Sequence, residues 1–521
     1  MLSEDVIPSA LCAADIQMLE DPYKELAAVE AQIEKTGAIM QRLVMKALVL
    51  KSRINDTTSP FLRLLPPEII SIIFELCTPT WSLHPTDPAD YDREALPLKL
   101  GSVCSGWRKI AWTTPTLWAS ASLFPTRCKI NSQVSLLDEW LGRSGDLPLY
   151  ISLYSDNENS WNCPGAPEIA INAIRKYASR WRFLHLQLPT SCYNCLPGPD
   201  CPLPHLAALH LDPIQVGGQT DRAHMVNMGH AHLKVLGLSR VYLTSVSFKF
   251  DQVTHLNLQS FYVDECLKVL SQSLQLVDCT LRNFIDGEDG HTFPEIPILR
   301  PTLKYLKLEN MKDTPIARLI HSILIPNAVA LTYSGRHLLH IPNMRALISR
   351  STSLRKFSLI KTIVSSEDIF LQLLTALKAV TEFVLEVPGT ESSSSPLTDR
   401  ILQQMNPHIA ADLGTECLLP SLEVLRYRGP QSFSLTESIA TIRSRLPSSG
   451  STYTPNSFRV DFSPPFPRPV NSWRVIEFDL TGHPCDVPKT HQYIATQLQQ
   501  ISLDSPQVDL VFNLPHKTRE E

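Results

Sequence analysis

Leu303-Lys304-Tyr305-Leu306-Lys307-Leu308 sets three leucines at spacings of three and two, with lysine in the last gap. The same apolar triplet recurs along most of the chain. It stands at Trp181/Leu184/Leu186, Leu206/Leu209/Leu211, Leu233/Leu236/Leu238 and Val253/Leu256/Leu258 before this point, with Leu274/Val277/Cys279 immediately upstream. Downstream come Ala328/Leu331/Tyr333, Leu354/Phe357/Leu359, Val380/Phe383/Leu385 and Leu422/Leu425/Tyr427. In a chain that is 43% hydrophobic, triplets alone prove little. The step between them carries the reading: first members follow one another by 25, 27, 20, 21, 29, 25, 26, 26 and 42 residues. Polar residues alternate with several of them (His185, Gln187, His210, Asn257, Lys307), as a strand with one buried face requires.

Between the triplets, Asp264–Leu270, Ile316–Leu324 and Ile369–Ala379 have helical periodicity. One strand and one helix every 20–29 residues resembles the leucine-rich repeat, and the resemblance implies an α/β solenoid. The Asn or Cys of that pattern, three residues beyond the triplet, is mostly missing, so an irregular coil is expected. Upstream, Leu136, Leu137, Trp140 and Leu141 suggest a helix, Leu147–Tyr154 a strand and Ile169–Ala178 another helix. Leu397–Leu413 reads as helix after a flexible insertion at Glu391–Pro396, and the array ends raggedly with strand-like Phe458–Phe462 and Trp473–Asp479. The proline-rich Ser463–Pro469 reads as a rigid turn or as a polyproline ligand.

Near the other end, a helix is expected from Asp21, a cap, and Pro22, which suits the first helical position. Leu26, Ile33, Met40, Ala47 and Ile54 repeat every seven residues, with Val29, Thr36, Leu43 and Leu50 as a second seam. Glu25, Glu30 and Glu34 come early and Arg42, Lys46, Lys51 and Arg53 late, in keeping with the helix dipole. The pattern fits a coiled coil, with self-association through residues 26–54, or one long amphipathic helix lying against the rest of the protein. Asn55–Ser59 reads as a linker.

Residues 64–77, LLPPEIISIIFELC, open on prolines and then turn apolar on nearly every face. A second short helix is expected over Leu100–Ala111, and Pro115-Thr-Leu-Trp118 closes the unit. So small a unit cannot bury that much apolar surface by itself, which implies a docking face for another protein or another domain.

Leu-Pro-x-Glu-Ile at 65–69, Ile-Phe at 73–74, Val-Cys-x-x-Trp-Arg at 103–108 and Pro-x-Leu-Trp at 115–118 together resemble the F-box, in the wording common among mushroom-forming fungi. The resemblance implies a small helical module that binds the Skp adaptor of a cullin-based ubiquitin ligase. Carried onto this sequence, it assigns adaptor contacts and module core to Leu65, Pro66, Ile69, Ile70, Ile73 and Phe74, then to Val103, Cys104, Trp107 and Ile110. Thr78–Ala95 departs from the pattern as a longer, acidic, proline-rich insertion able to reshape adaptor binding.

Little chemistry is written in the chain. Gly-x-Gly-x-x-Gly, phosphate-loop, Gly-x-Ser-x-Gly and His-Glu-x-x-His patterns do not occur. Cys192, Cys195, Cys201 and His205 have spacings that would suit a tetrahedral zinc, set against a plain-turn reading of the same loop. No cysteine sits in a histidine-paired nucleophile context. A net charge of −5, from 47 basic and 52 acidic residues, argues against a nucleic-acid binder. The opening MLSEDVIPSA lacks a signal peptide's basic start, no segment reaches membrane-span length, and the twelve cysteines read as reduced thiols, so a cytoplasmic or nuclear protein is expected.

The expected architecture is an α+β multidomain chain: a flexible N-terminus (1–20), a long amphipathic helix (21–56), an all-α F-box-like module (60–122) and an irregular leucine-rich-repeat-like solenoid that binds substrate (130–515). The implied function is a non-enzymatic, cofactor-free substrate receptor that contacts the Skp adaptor, through it cullin, and a client protein. The alternatives are a repeat scaffold whose module does not engage the adaptor and, on the cysteine cluster alone, a zinc hydrolase.

Overall fold

The computed structural model describes residues 22–58, 60–78, 96–124, 129–154, 166–198, 201–214, 226–228, 231–285, 296–335, 338–364, 366–388, 395–446, 473–481, 488–505 and 508–513. They form two compact units, one of residues 1–120 with 140–147 and one of 121–139 with 148–521. The expected N-terminus 1–20, the 79–95 part of the insertion and the segments Phe458–Phe462 and Ser463–Pro469 lie outside the described residues.

The first unit is helical. Helix α1 spans Pro22–Thr58, so the Asn55–Thr58 stretch expected as a linker is its last turn. Short α2 (Pro60–Leu64) and α3 (Pro67–Cys77) follow. Pro66 ends its extended approach at the start of α3, and its carbonyl accepts from Ile69 and Ile70 at 3.0 and 3.2 Å. The helix expected over Leu100–Ala111 is instead two, α4 (Leu96–Val103) and α5 (Ser105–Trp112). Cys104 separates them: its backbone is extended, at φ −158°, and its sulfur accepts the Trp107 amide at 3.4 Å. An N-cap acceptor at this position costs less than leaving the first-turn amide unpaired. Gly101 is fixed by the same corner, because an added Cβ would lie 2.0 Å from the Trp112 ring.

Tryptophans lock the closing turn. The Trp118 indole donates to the Ala111 carbonyl at 2.7 Å, packs edge-on to Trp112 and Trp140, and lies under the Arg143 guanidinium 4.7 Å from its ring centre. Thr114 and Thr116 donate to Ser71 and Glu75 of α3 at 3.0 and 2.6 Å. Thus Pro115–Trp118 ties α3 to α5, which is why the three separated motifs work as one unit.

The second unit is mixed helix and strand around a fourteen-stranded sheet whose spatial order is its chain order, from Ser120–Leu123 to Asp509–Asn513. The strand pairs are parallel, from Leu149–Tyr154 onward. Tyr305–Glu309 shows the rule: Leu306 and Leu308 are buried, while Tyr305, Lys307 and Glu309 point to the other face. Register carries the rule across strands, aligning Leu256, Cys279, Leu306, Leu331, Phe357, Phe383, Leu425 and Ile476 in one buried row.

One triplet is shifted. Leu274 is exposed, and the buried set is Leu276, Cys279 and Leu281. That choice evens the steps on either side. Trp473, Ile476 and Phe478 are a further buried triplet, paired in register with Val424–Pro430, so the ragged end expected from sequence is an ordered continuation.

Helices occupy the crossovers, at Val263–Gln272, Asp313–Ser322, Ile341–Arg350, Glu367–Leu374 and Leu435–Ser444. Their caps are local: Ser366 and Ser434 hydroxyls accept the Ile369 and Glu437 amides. The helix expected over Leu397–Leu413 is broken into Asp399–Met405 and Pro407–Asp412, because Pro407 has no N–H to give and Asn406 turns extended to cap the second piece. Ser395 and Pro396, expected in a flexible insertion, are buried, with Ser395 hydroxyl-bonded to Tyr427 at 2.7 Å.

Arg445 fastens the far end of this unit. It is buried, and its guanidinium donates to the carbonyls of Met405 (2.9 Å), Leu418 (2.7 Å) and Leu419 (2.9 Å) while lying 5.2 Å over the Trp473 ring. Arg445→Met is expected to lower the unfolding free energy of the full chain by about 3 kcal/mol or more, since three buried carbonyls lose their donor. Arg445→Lys is expected to recover only part of that, lacking the planar fork. Chemical denaturation monitored by tryptophan fluorescence measures both.

Candidate protein-interaction surfaces

In the helical unit, α3 sorts its apolar residues by face. Ile70 and Phe74 are buried, four residues apart, and Phe74 packs on Trp107 at 5.0 Å between ring centres, with Phe61 on the same indole at 5.1 Å. These hold the module together. Ile69, Ile72 and Leu76 point outward, and Leu76 is 80% exposed. Leu64 and Val103 are exposed as well.

Of the ten residues assigned from the motif, Ile70 and Phe74 therefore belong to the interior. Leu65, Ile73, Cys104, Trp107 and Ile110 are half-buried, and Pro66, Ile69 and Val103 are exposed. Leu64, Ile72 and Leu76 were missed as surface residues. The signal was available in the 3.6-residue period, which places 69, 72 and 76 on the face opposite 70 and 74. An uninterrupted apolar run hides that division, because both faces read alike.

The second unit also has the sheet face opposite its buried leucine rows, and that face changes character from strand to strand. At the middle register, Ser152, His185, His210, Gly237, Asn257 and Thr280 lie side by side on consecutive strands. These are uncharged, small or hydrogen-bonding side chains. Gly237 is required there, since an added Cβ would sit 2.1 Å from the His210 Nδ1. On later strands the same face becomes ionic. Glu382 accepts from Lys356 at 2.8 Å and from Arg426 at 2.6 Å, Arg426 reaches Glu477 at 3.2 Å, and Arg428 pairs Asp479 at 3.2 Å. Arg282 and Lys307 both pair with Glu309. Cross-strand neighbours thus neutralise one another, and each exposed pair contributes little, about 0–1 kcal/mol.

The zinc reading is not supported by position. Among the described residues, no three His, Cys, Asp or Glu side chains gather as a metal site, Cys192, Cys195, Cys201 and His205 included. Cys192 is buried and His205 exposed. The loop instead braces the sheet, with the buried Tyr193 hydroxyl donating to the Leu186 carbonyl at 2.8 Å. Burial, then the nearby Glu168 carboxylate, raises the Cys195 thiol above its usual range, opposite to what a thiolate ligand needs. Burial raises Cys266 and Cys279 likewise. No helix among the described residues is long and apolar enough to cross a membrane.

Burial also acts on His185 of the sheet, whose ordinary pKa of 6.5 lies near neutrality. Burial lowers its pKa below 6.5, partly opposed by the Asp212 carboxylate, and its Nδ1 finds no hydrogen-bond partner. The folded chain therefore binds this proton less readily than the unfolded chain. Stability is present above pH 6.5 and falls as pH drops below it toward the folded pKa. Thermal unfolding from pH 7.5 to 5 is expected to show that loss, with a shallower slope in His185→Gln.

No family model matches the chain, and no curated protein matches it. Among solved structures, the chain is similar to one described as the crystal structure of the Rad7 and Elc1 complex in yeast, with 13% identity over 78% of this chain and 94% of that one and a TM-score of 0.33.

Proposed function

We propose that the chain is a substrate-recognition subunit of a cullin-based ubiquitin ligase. The F-box-like module docks on the Skp adaptor, which links it to cullin, and the leucine-rich-repeat-like sheet holds a client protein. The chain is not itself an enzyme and uses no cofactor. Its contribution is effective concentration: a client and a charged ubiquitin carrier on one scaffold react as if intramolecular.

The observation that carries this reading is the outward row Ile69, Ile72 and Leu76 on a helix whose inward residues already satisfy the module core. Large apolar side chains left in water on so small a unit mark an interface. The motif resemblance names the partner class. The sheet's open polar and ion-paired face supports a protein client over a small molecule, because it spans strands rather than closing around a ligand.

Full-length chain is expected to co-purify with the Skp adaptor. Ile72→Glu with Leu76→Glu should weaken that complex by at least about 100-fold, from roughly 1.5–3 kcal/mol for each of the two buried side chains, while leaving circular dichroism and thermal unfolding unchanged. Absence of binding by folded wild-type chain would favour the alternative, a scaffold whose module does not engage the adaptor.

A further inference from the structure

Helix α1 is the other large apolar surface, and nothing described in the chain covers it. Twelve large apolar side chains on it are exposed, from 48% at Val44 and Leu50 to 67% at Ile33 and Met40. A helix of 37 residues with that exposure depends on packing for its stability. Its seams at 26, 33, 40, 47, 54 and at 29, 36, 43, 50 keep a strict seven-residue repeat over four heptads, the spacing that a second helix of the same repeat fits.

We infer that two copies of this chain pair through α1, antiparallel, with Leu26 of one copy level with Leu50 of the other. Size complementarity selects this register. It sets Ile33 against Leu43, Ala47 against Val29 and Thr36 against Met40, so each small seam residue meets a larger one. A parallel in-register pair instead faces Thr36 with Thr36 and Ala47 with Ala47, leaving two thin layers.

Charge selects the same arrangement independently. In this register the acidic half of each helix, with Glu25, Glu30 and Glu34, runs beside the basic half of the second copy, with Arg42, Lys46, Lys51 and Arg53, and Glu25 and Arg53 fall on the same flank of the seam. The parallel pair brings acids beside acids and bases beside bases. The arrangement is two-fold and closed, so it stops at a dimer.

The test is sedimentation equilibrium of the full chain with two charge variants. Wild type is expected to be dimeric. Glu25→Lys, Glu30→Lys and Glu34→Lys together should raise the dimer dissociation constant by at least about tenfold. Adding Arg42→Glu, Lys46→Glu and Lys51→Glu to the same chain should restore it. Restoration cannot come from the helix dipole, which the six-fold variant opposes at both ends. A monomeric wild type overturns the inference. A dimer indifferent to the first triple overturns it too, since parallel pairing merely exchanges one like-charge contact for another.

Discussion

The sheet hangs on a single repeated hydrogen-bond arrangement at the start of each strand. One carbonyl of a strand accepts two successive amides of the next: Ala207 takes Lys234 and Val235, Lys234 takes Thr254 and His255, and Thr254 takes Val277 and Asp278. The chain of acceptors continues through Val277, Lys304, Val329, Arg355, Thr381 and Glu423, each the donor of the previous step. Register is thereby set strand by strand, and a one-residue slip would turn every buried leucine to water. At the other strand end, Arg240, Ser260, Asn283, Asn310 and Lys361 take left-handed backbone, with φ from 49° to 58°, and each donates its amide to the next strand. That conformation costs a non-glycine residue about 1 kcal/mol or more, which the inter-strand bond offsets.

The apolar triplets made most of this legible in the sequence, because they report the buried alternation directly. Where the reading slipped, physical reasons are visible. At Leu274 two overlapping triplets competed, and only the following turn decides between them. The turn itself was not foreseen: the sequence pattern led to an Asn or Cys three residues on, whereas the chain turns two residues on, at Arg, Ser, Asn and Lys alike. Left-handed backbone in such varied residues leaves no compositional trace. The strand at Val475–Thr481 was read as a ragged end because more than forty residues separate it from its neighbour, and Arg445, which bridges that gap through carbonyls of distant segments, has no local signature.

The helical unit was legible as a motif but not as a surface. Its sequence shows apolar residues on every face of α3, and only packing reveals which half meets Trp107 and which half meets solvent. The break at Cys104 depends on a sulfur accepting one amide, a contact that composition does not announce. Among the described residues, the buried thiols of Cys266 and Cys279 are raised out of the reactive range, charges such as Glu382 and Arg426 on the sheet pair with neighbours, and large apolar area stands exposed on α1 and α3.

The outward face of α3 is the proposed docking site of the ligase adaptor. Hydrogen–deuterium exchange of the full chain, with and without the Skp adaptor, tests it most directly. New protection is expected over residues 64–77 and at the end of α4 near Val103, with the sheet unchanged. Protection confined to the sheet, or none at saturating adaptor, would contradict it.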